Sequence, residues 1–221
     1  MMKKFFLKKI IVISFFLTFS FIIEILYTQI LKLECQNSFL KLDLLPLILI
    51  GFFFGFKYSF FSNLLYVCLH IILESLGSFH KHSLFKEHNK ISFNNNVLFM
   101  IGIFLFLFTI PYLSCSLTGF FFLPINKKNK KIFQKKDIFN SLLIISIMQI
   151  FSYFLFVFFF YKVDNFYDII HKKNFFGLSY SGVMVFLYYF FSVLITNTII
   201  GFILYFMEFF FRENIEFFYL E

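Results

Sequence analysis

Apolar stretches, most of them about twenty residues or longer and separated by basic or polar breaks, dominate this chain and limit what it can fold into. A helix rises ~1.5 Å per residue, so about 20 mostly apolar residues cover the ~30 Å hydrocarbon core of a bilayer. Cutting the chain wherever charges or turn residues interrupt gives six segments: Ile10–Leu31, Leu44–Phe56, Tyr58–Leu76, Val97–Leu123, Ile138–Tyr161 and Gly177–Phe211. The chain is 60% hydrophobic and 14% charged, whereas soluble domains run at roughly 45–50% and about 25%. A water-soluble fold of this size has no interior able to hide that surface. The expected fold class is all-α, an integral membrane six-helix bundle forming a single domain over residues 1–221.

Local signals refine this outline. The second segment is short and rises only about 20 Å as a helix, so it is expected to start or end inside the protein. Pro46 suits its first turn, where the missing N–H costs no helical hydrogen bond. The third segment follows at once across Gly55-Phe56-Lys57, which predicts a tight antiparallel pair. Pro111 is expected to kink the fourth segment and Pro124 to help end it. Lys3, Lys4, Lys8 and Lys9 precede the first apolar run, as in a signal peptide, but the run continues to Leu31 without a small-residue cleavage site. A retained first helix is expected. The dense basic block from Lys127 to Lys136 decides the sign of the positive-inside rule, and both termini are predicted cytoplasmic.

The net charge of +8 sits in short blocks between apolar runs rather than along one polar face, so topology explains it and no nucleic-acid partner is expected. Phe is abundant at 44 residues, with no Trp and no Ala. That pattern reads as the codon bias of an AT-rich genome, with Phe replacing aliphatic residues against lipid. Cys35, Cys68 and Cys115 are odd in number, far apart and without CxxC spacing, which argues neither a disulfide framework nor a zinc site. No Walker A, HExxH, GxSxG or GxGxxG pattern occurs. No catalytic residue, cofactor or metal site is predicted, and any ATP-driven step must come from another subunit.

Polar side chains inside the spans are costly and therefore candidates for function. Those singled out are Glu24, Asn63, His70, Glu74, Gln149, Thr196, Asn197 and Thr198. His70 and Glu74 lie four apart on one helix face; they are either ligand-facing groups or an intrahelical pair at the interface. His80, His82 and His88 fall in the longest loop, where solvated residues are the default. Gly51 and Gly55 form a GxxxG pattern that allows close backbone approach; its position beside the turn favours packing within the chain over a dimer face. Ser14 and Thr18 make a small-residue stripe on the first helix, a docking face for a partner helix or a packing surface.

The most distinctive stretch runs from Phe39-Leu-Lys-Leu-Asp43 through Pro46 to Gly51-Phe-Phe-Phe-Gly55, followed by Leu69-His70. It resembles the substrate-binding S components of energy-coupling factor (ECF) vitamin transporters, riboflavin-type most of all. The family's proline after the last of these glycines is absent here, where Phe56 and Lys57 follow. Ser14 and Thr18 stand where the family presents an alanine stripe to its transmembrane coupling subunit. The resemblance implies a subunit that captures a small-molecule vitamin near the outer face and works with that coupling subunit and two cytoplasmic ATPases. It implies a pocket lined by Phe39, Phe79 and Phe93, with Lys41, Asp43, Glu74, Asn96 and Asn197 orienting the ligand. A stand-alone secondary transporter and a non-transport membrane protein, such as an intramembrane enzyme, are the alternatives; the second gains if Glu24, His70 and Glu74 converge.

Overall fold

The computed structural model describes residues 2–30, 40–75, 101–121, 135–160 and 182–213. These residues are helical apart from the short connectors at 40–43 and Gly55, and none forms a strand. In chain order the helices are α1 (Met2–Ile30), α2 (Leu44–Phe54), α3 (Phe56–Ser75), the composite α4 (Ile103–Phe121), α5 (Lys135–Phe160) and α6 (Gly182–Glu213). Four stretches, Leu7–Leu26, Ile103–Phe121, Lys135–Phe160 and Gly182–Met207, are long and apolar enough to cross a bilayer, whereas α2 and the apolar part of α3 are shorter. Large apolar side chains, among them Phe15, Phe61, Phe139, Phe158, Phe202 and Phe206, face outward around the bundle. So much exposed apolar surface requires a lipid environment, and the chain is a helical membrane protein.

α2 is the centre of the molecule. Every residue in it except Leu45 is buried, because the helix is apolar on all sides and can satisfy that pattern only when surrounded. Leu44, Leu47, Ile48, Ile50 and Phe52 meet Leu17 of α1, Tyr66 of α3, Phe108 and Cys115 of α4, Ile145 of α5 and Ile200 of α6 in one core. With only eleven residues, α2 covers about half the bilayer core at ~1.5 Å per residue. Its first turn lies at mid-bundle: the Ser20 hydroxyl, in the middle of α1, donates to the Asp43 carbonyl at 2.5 Å. Of the two placements expected for the short second segment, starting or ending inside the protein, this is the first.

Close backbone approach fixes the other end of α2. Gly55 adopts φ 81°, a conformation that a side chain would strain. Its N–H returns to the Gly51 carbonyl at 2.9 Å, and its own carbonyl accepts the first bond of α3 from Ser59 at 3.1 Å. The turn presses against α4, where Thr118 donates to the Ile48 carbonyl at 3.1 Å. A Cβ on Gly51 would meet Thr118 Oγ1 at 1.9 Å, and one on Gly119 would meet the Phe56 nitrogen at 2.2 Å. The Gly51–Gly55 pattern thus serves packing inside this chain.

α4 changes its winding around Pro111. It is π-helical over Ile103–Thr109, α-helical over Ile110–Ser114 and 3₁₀ over Cys115–Phe121. Proline has no N–H to offer the carbonyl four residues back, so the helix overwinds on one side and underwinds on the other. α5 and α6 run antiparallel, as shown by Lys135 meeting Tyr205, Leu142 meeting Gly201, Ser146 meeting Asn197 and Tyr153 meeting Tyr189. The same topology gathers the start of α1, Lys57 and the start of α5 at one basic end of the bundle; there Lys9 Nζ lies 5.1 Å from the Tyr58 ring centre.

Gly119→Ala must displace backbone atoms of Phe56 and Gly55, and overpacking of this kind costs about 1–3 kcal/mol. Gly201→Ala meets only the flexible tip of Leu142, at 3.1 Å. Thermal unfolding of purified protein in detergent is expected to show a lowered midpoint for Gly119→Ala and little change for Gly201→Ala.

Candidate functional site

At mid-bundle, where the 40–43 connector meets α1, α3 and α4, the polar side chains form one connected cluster. Tyr66 donates to Glu24 Oε2 at 2.7 Å, and His70 Nδ1 lies 2.9 Å from Glu24 Oε1. One turn separates Tyr66 from His70 on α3, so both reach the same carboxylate. Across the cluster Tyr112 donates a hydrogen bond to Asp43 Oδ2. The Tyr66 and Tyr112 rings stack with centroids 5.3 Å apart, and each phenol donates a hydrogen bond to a different carboxylate. Phe108 covers the His70 ring at 4.2 Å and the Tyr112 ring at 4.3 Å.

The cluster is enclosed. Asp43, Glu24, Tyr66, His70 and Tyr112 are all buried. The two carboxylates stand beside the His70 imidazole and the Lys41 ammonium; an uncompensated charge in such a place costs several kcal/mol. Asp43 stands at the N-cap of α2 but makes no side-chain cap bond. Its carboxylate goes to Tyr112 instead, while the nearby positive end of α2 still favours the charge.

Lys41 reaches α4 through the irregularity at Pro111. That proline cannot bond the Leu107 carbonyl, and Lys41 Nζ lies 3.5 Å from this oxygen. The ammonium also stands 5.6 Å from the Tyr112 ring centre and 6.0 Å from that of Tyr153, within cation–π range. The Lys41 N–H points to Thr196 Oγ1 of α6 at 3.4 Å. Other α4 carbonyls take donors from neighbouring helices: Phe106 from Ser152 at 2.6 Å, Pro111 from Gln149 at 3.4 Å and Tyr112 from Asn63 at 3.3 Å. Side chains from other helices thus satisfy the irregular backbone, as a membrane interior demands.

Of the sequence-predicted ligand residues, the structure brings Lys41 and Asp43 together. Asn197 lies beside this region but binds across to α5, donating to Ser146 Oγ at 2.7 Å and Gln149 Oε1 at 3.0 Å. Phe39, Phe79, Phe93 and Asn96 lie outside the described residues, as do the side chain of Glu74 and the histidines at 80, 82 and 88. His70 has Glu24 of α1 as a partner across the bundle. Ser14 and Thr18 are exposed on α1, with the Thr18 hydroxyl bonded to the Ser14 carbonyl at 2.9 Å, beside outward-facing Ile11, Phe15 and Ile22. Sequence reasoning does not single out Tyr66, Tyr112 and Tyr153; the signals that point to the first two are the Tyr66–His70 spacing and the position of Tyr112 directly after Pro111. Among the described residues, no group of three or more His, Cys, Asp or Glu side chains is placed to hold a metal ion.

No known protein family, curated protein or solved structure matches the chain.

Removing one member of a buried charge pair costs about 3–5 kcal/mol, whereas replacing both by apolar residues of similar volume is often neutral. Glu24→Leu and His70→Leu are each expected to lower the unfolding midpoint in detergent, and the double variant to lie closer to the parent than either single one. Equal stability of the parent and both single variants would show that the contact carries no weight.

Proposed function

We propose that the chain is the membrane-embedded capture subunit of an ECF-type vitamin importer, with riboflavin as the first ligand to test. In this reading it crosses the membrane six times with both termini in the cytoplasm, and the basic end of the bundle faces inward. The observation that carries the proposal is the position of the 40–43 connector at mid-bundle. The stretch with the strongest family resemblance is the one that delivers Lys41 and Asp43 to mid-bundle among Tyr112, Tyr153 and Thr196. Membrane ligand sites call for apolar and aromatic walls with a few placed polar groups. An ammonium, a carboxylate and phenols suit a planar ligand with both donors and acceptors on its rim. In this role the exposed α1 face around Ser14 and Thr18 docks the coupling subunit, and ATP hydrolysis belongs to its partner ATPases.

The Glu24–His70–Tyr66 contacts favour one other reading, a stand-alone proton-coupled transporter, since buried acid, imidazole and phenol groups are the usual parts of a membrane proton relay. Uptake by the reconstituted chain alone, driven by a proton gradient and without any ATPase, would select it.

Riboflavin titrated into the purified chain is expected to bind one-to-one, with its flavin fluorescence quenched by the stacked aromatic wall. Lys41→Ala and Asp43→Asn are each expected to weaken binding at least ~10-fold, about 1.4 kcal/mol. Binding that is absent, or unchanged in both variants, would reject this assignment.

A further inference from the structure

A second site lies away from the polar cluster, between α5 and α6 at the basic end. The two helices part to leave a groove of about 560 Å³, within the roughly 300–1,000 Å³ of small-molecule sites. Its walls are apolar, with Phe139 and Leu143 on α5 and Phe202 and Phe206 on α6 turned outward, so it opens toward lipid. Gly201 leaves room in its floor, where a Cβ would come within 3.1 Å of Leu142.

The two ends of the groove differ. At the basic end Lys135 Nζ bonds the Tyr205 hydroxyl at 2.7 Å and sits 4.2 Å from the same ring's centre. Lysine and tyrosine together are typical of the membrane–water interface, where the apolar stem or ring lies in hydrocarbon and the polar tip meets headgroups. Lys136 follows, exposed, and the sequence just before α5 carries Lys127, Lys128, Lys130 and Lys131. At the inner end are Ser146 and Asn197. Asn197 is 5% exposed, and its Oδ1 has no hydrogen-bond partner among the described residues. From Lys135 to Ser146 the helical rise is about 16 Å at ~1.5 Å per residue, close to half of the ~30 Å hydrocarbon core. The groove is therefore as deep as one leaflet.

We infer that this groove binds an anionic phospholipid of the leaflet at the basic end, with its phosphate group at Lys135 and Tyr205 and one acyl chain laid between α5 and α6. Length fits a chain confined to a single leaflet, and the apolar walls fit its methylenes. Charge selects the headgroup, because basic pockets at the ends of membrane helices attract anionic lipid from the surrounding pool. This site stands independently of which solute, if any, the polar cluster takes.

The chain has no tryptophan, so Phe202→Trp places a single reporter in the groove, and Phe158→Trp places a control near the far end of α5. Each variant is reconstituted as full chain in vesicles, and its fluorescence is quenched by brominated phosphatidylglycerol or by brominated phosphatidylcholine with the same acyl chains. For the groove reporter the expected relative association favours phosphatidylglycerol about fivefold, the ~1 kcal/mol that one lysine near an anionic surface contributes. Adding Lys135→Gln brings the ratio close to one, and adding Gly201→Leu reduces quenching by both lipids. For the control reporter no preference is expected. Equal quenching of the groove reporter by the two lipids, an unchanged preference with Lys135→Gln, or the same preference at the control position would each overturn the assignment.

Discussion

Two carboxylates held at the middle of a bundle of apolar helices must find hydrogen-bond donors within the protein, because the bilayer offers none. Much of the architecture can be traced to that requirement. Glu24 draws α3 to α1 through Tyr66 and His70, and Asp43 draws the connector to α4 through Tyr112. The two halves meet where the tyrosine rings stack. With the connector anchored at that depth, α2 has only half a bilayer left to cross, and an eleven-residue helix is enough.

Pro111 is the complementary device. An ideal helix would bond all its own carbonyls and leave nothing for side chains from elsewhere. The proline and the π and 3₁₀ turns around it leave carbonyls on α4 that Lys41, Ser152, Gln149 and Asn63 approach. α4 thereby becomes the hub that the connector, α3 and α5 all contact through polar groups. Glycines achieve a similar closeness by shape at the other end, where Gly55 and Gly119 allow the α2–α3 turn and α4 to touch backbone to backbone.

The helical character, the lipid-facing surface and the short buried α2 are legible in the sequence because length and hydropathy alone determine them. α1 begins earlier and α6 ends later than the apolar runs suggest, at Met2 and Glu213, since a helix does not stop where lysines or a glutamate begin. Glu24, Asn63, His70, Gln149, Thr196 and Asn197 stand out because a polar group inside a span is expensive. Their partners do not. His70 has an acidic neighbour one turn away in Glu74, yet it meets Glu24 from another helix, and no local pattern encodes that pairing. Tyr66 and Tyr112 are hidden by a background of 44 Phe and 12 Tyr, in which one more aromatic carries no signal. Pro111 announces a disturbance in α4, but its form, π on one side and 3₁₀ on the other, depends on the side chains that arrive from neighbouring helices.

The central claim is that the connector reaches mid-bundle and that Asp43 is held there by Tyr112. A double-mutant cycle with Asp43→Asn and Tyr112→Phe, read as unfolding free energy in detergent, tests it most directly. Residues in contact within one hydrogen-bond network show coupling of about 0.5–3 kcal/mol, whereas separated residues add within roughly 0.3–0.5 kcal/mol. Coupling in the higher range is the result this account predicts. Simple additivity of the two substitutions would contradict it and place the connector elsewhere.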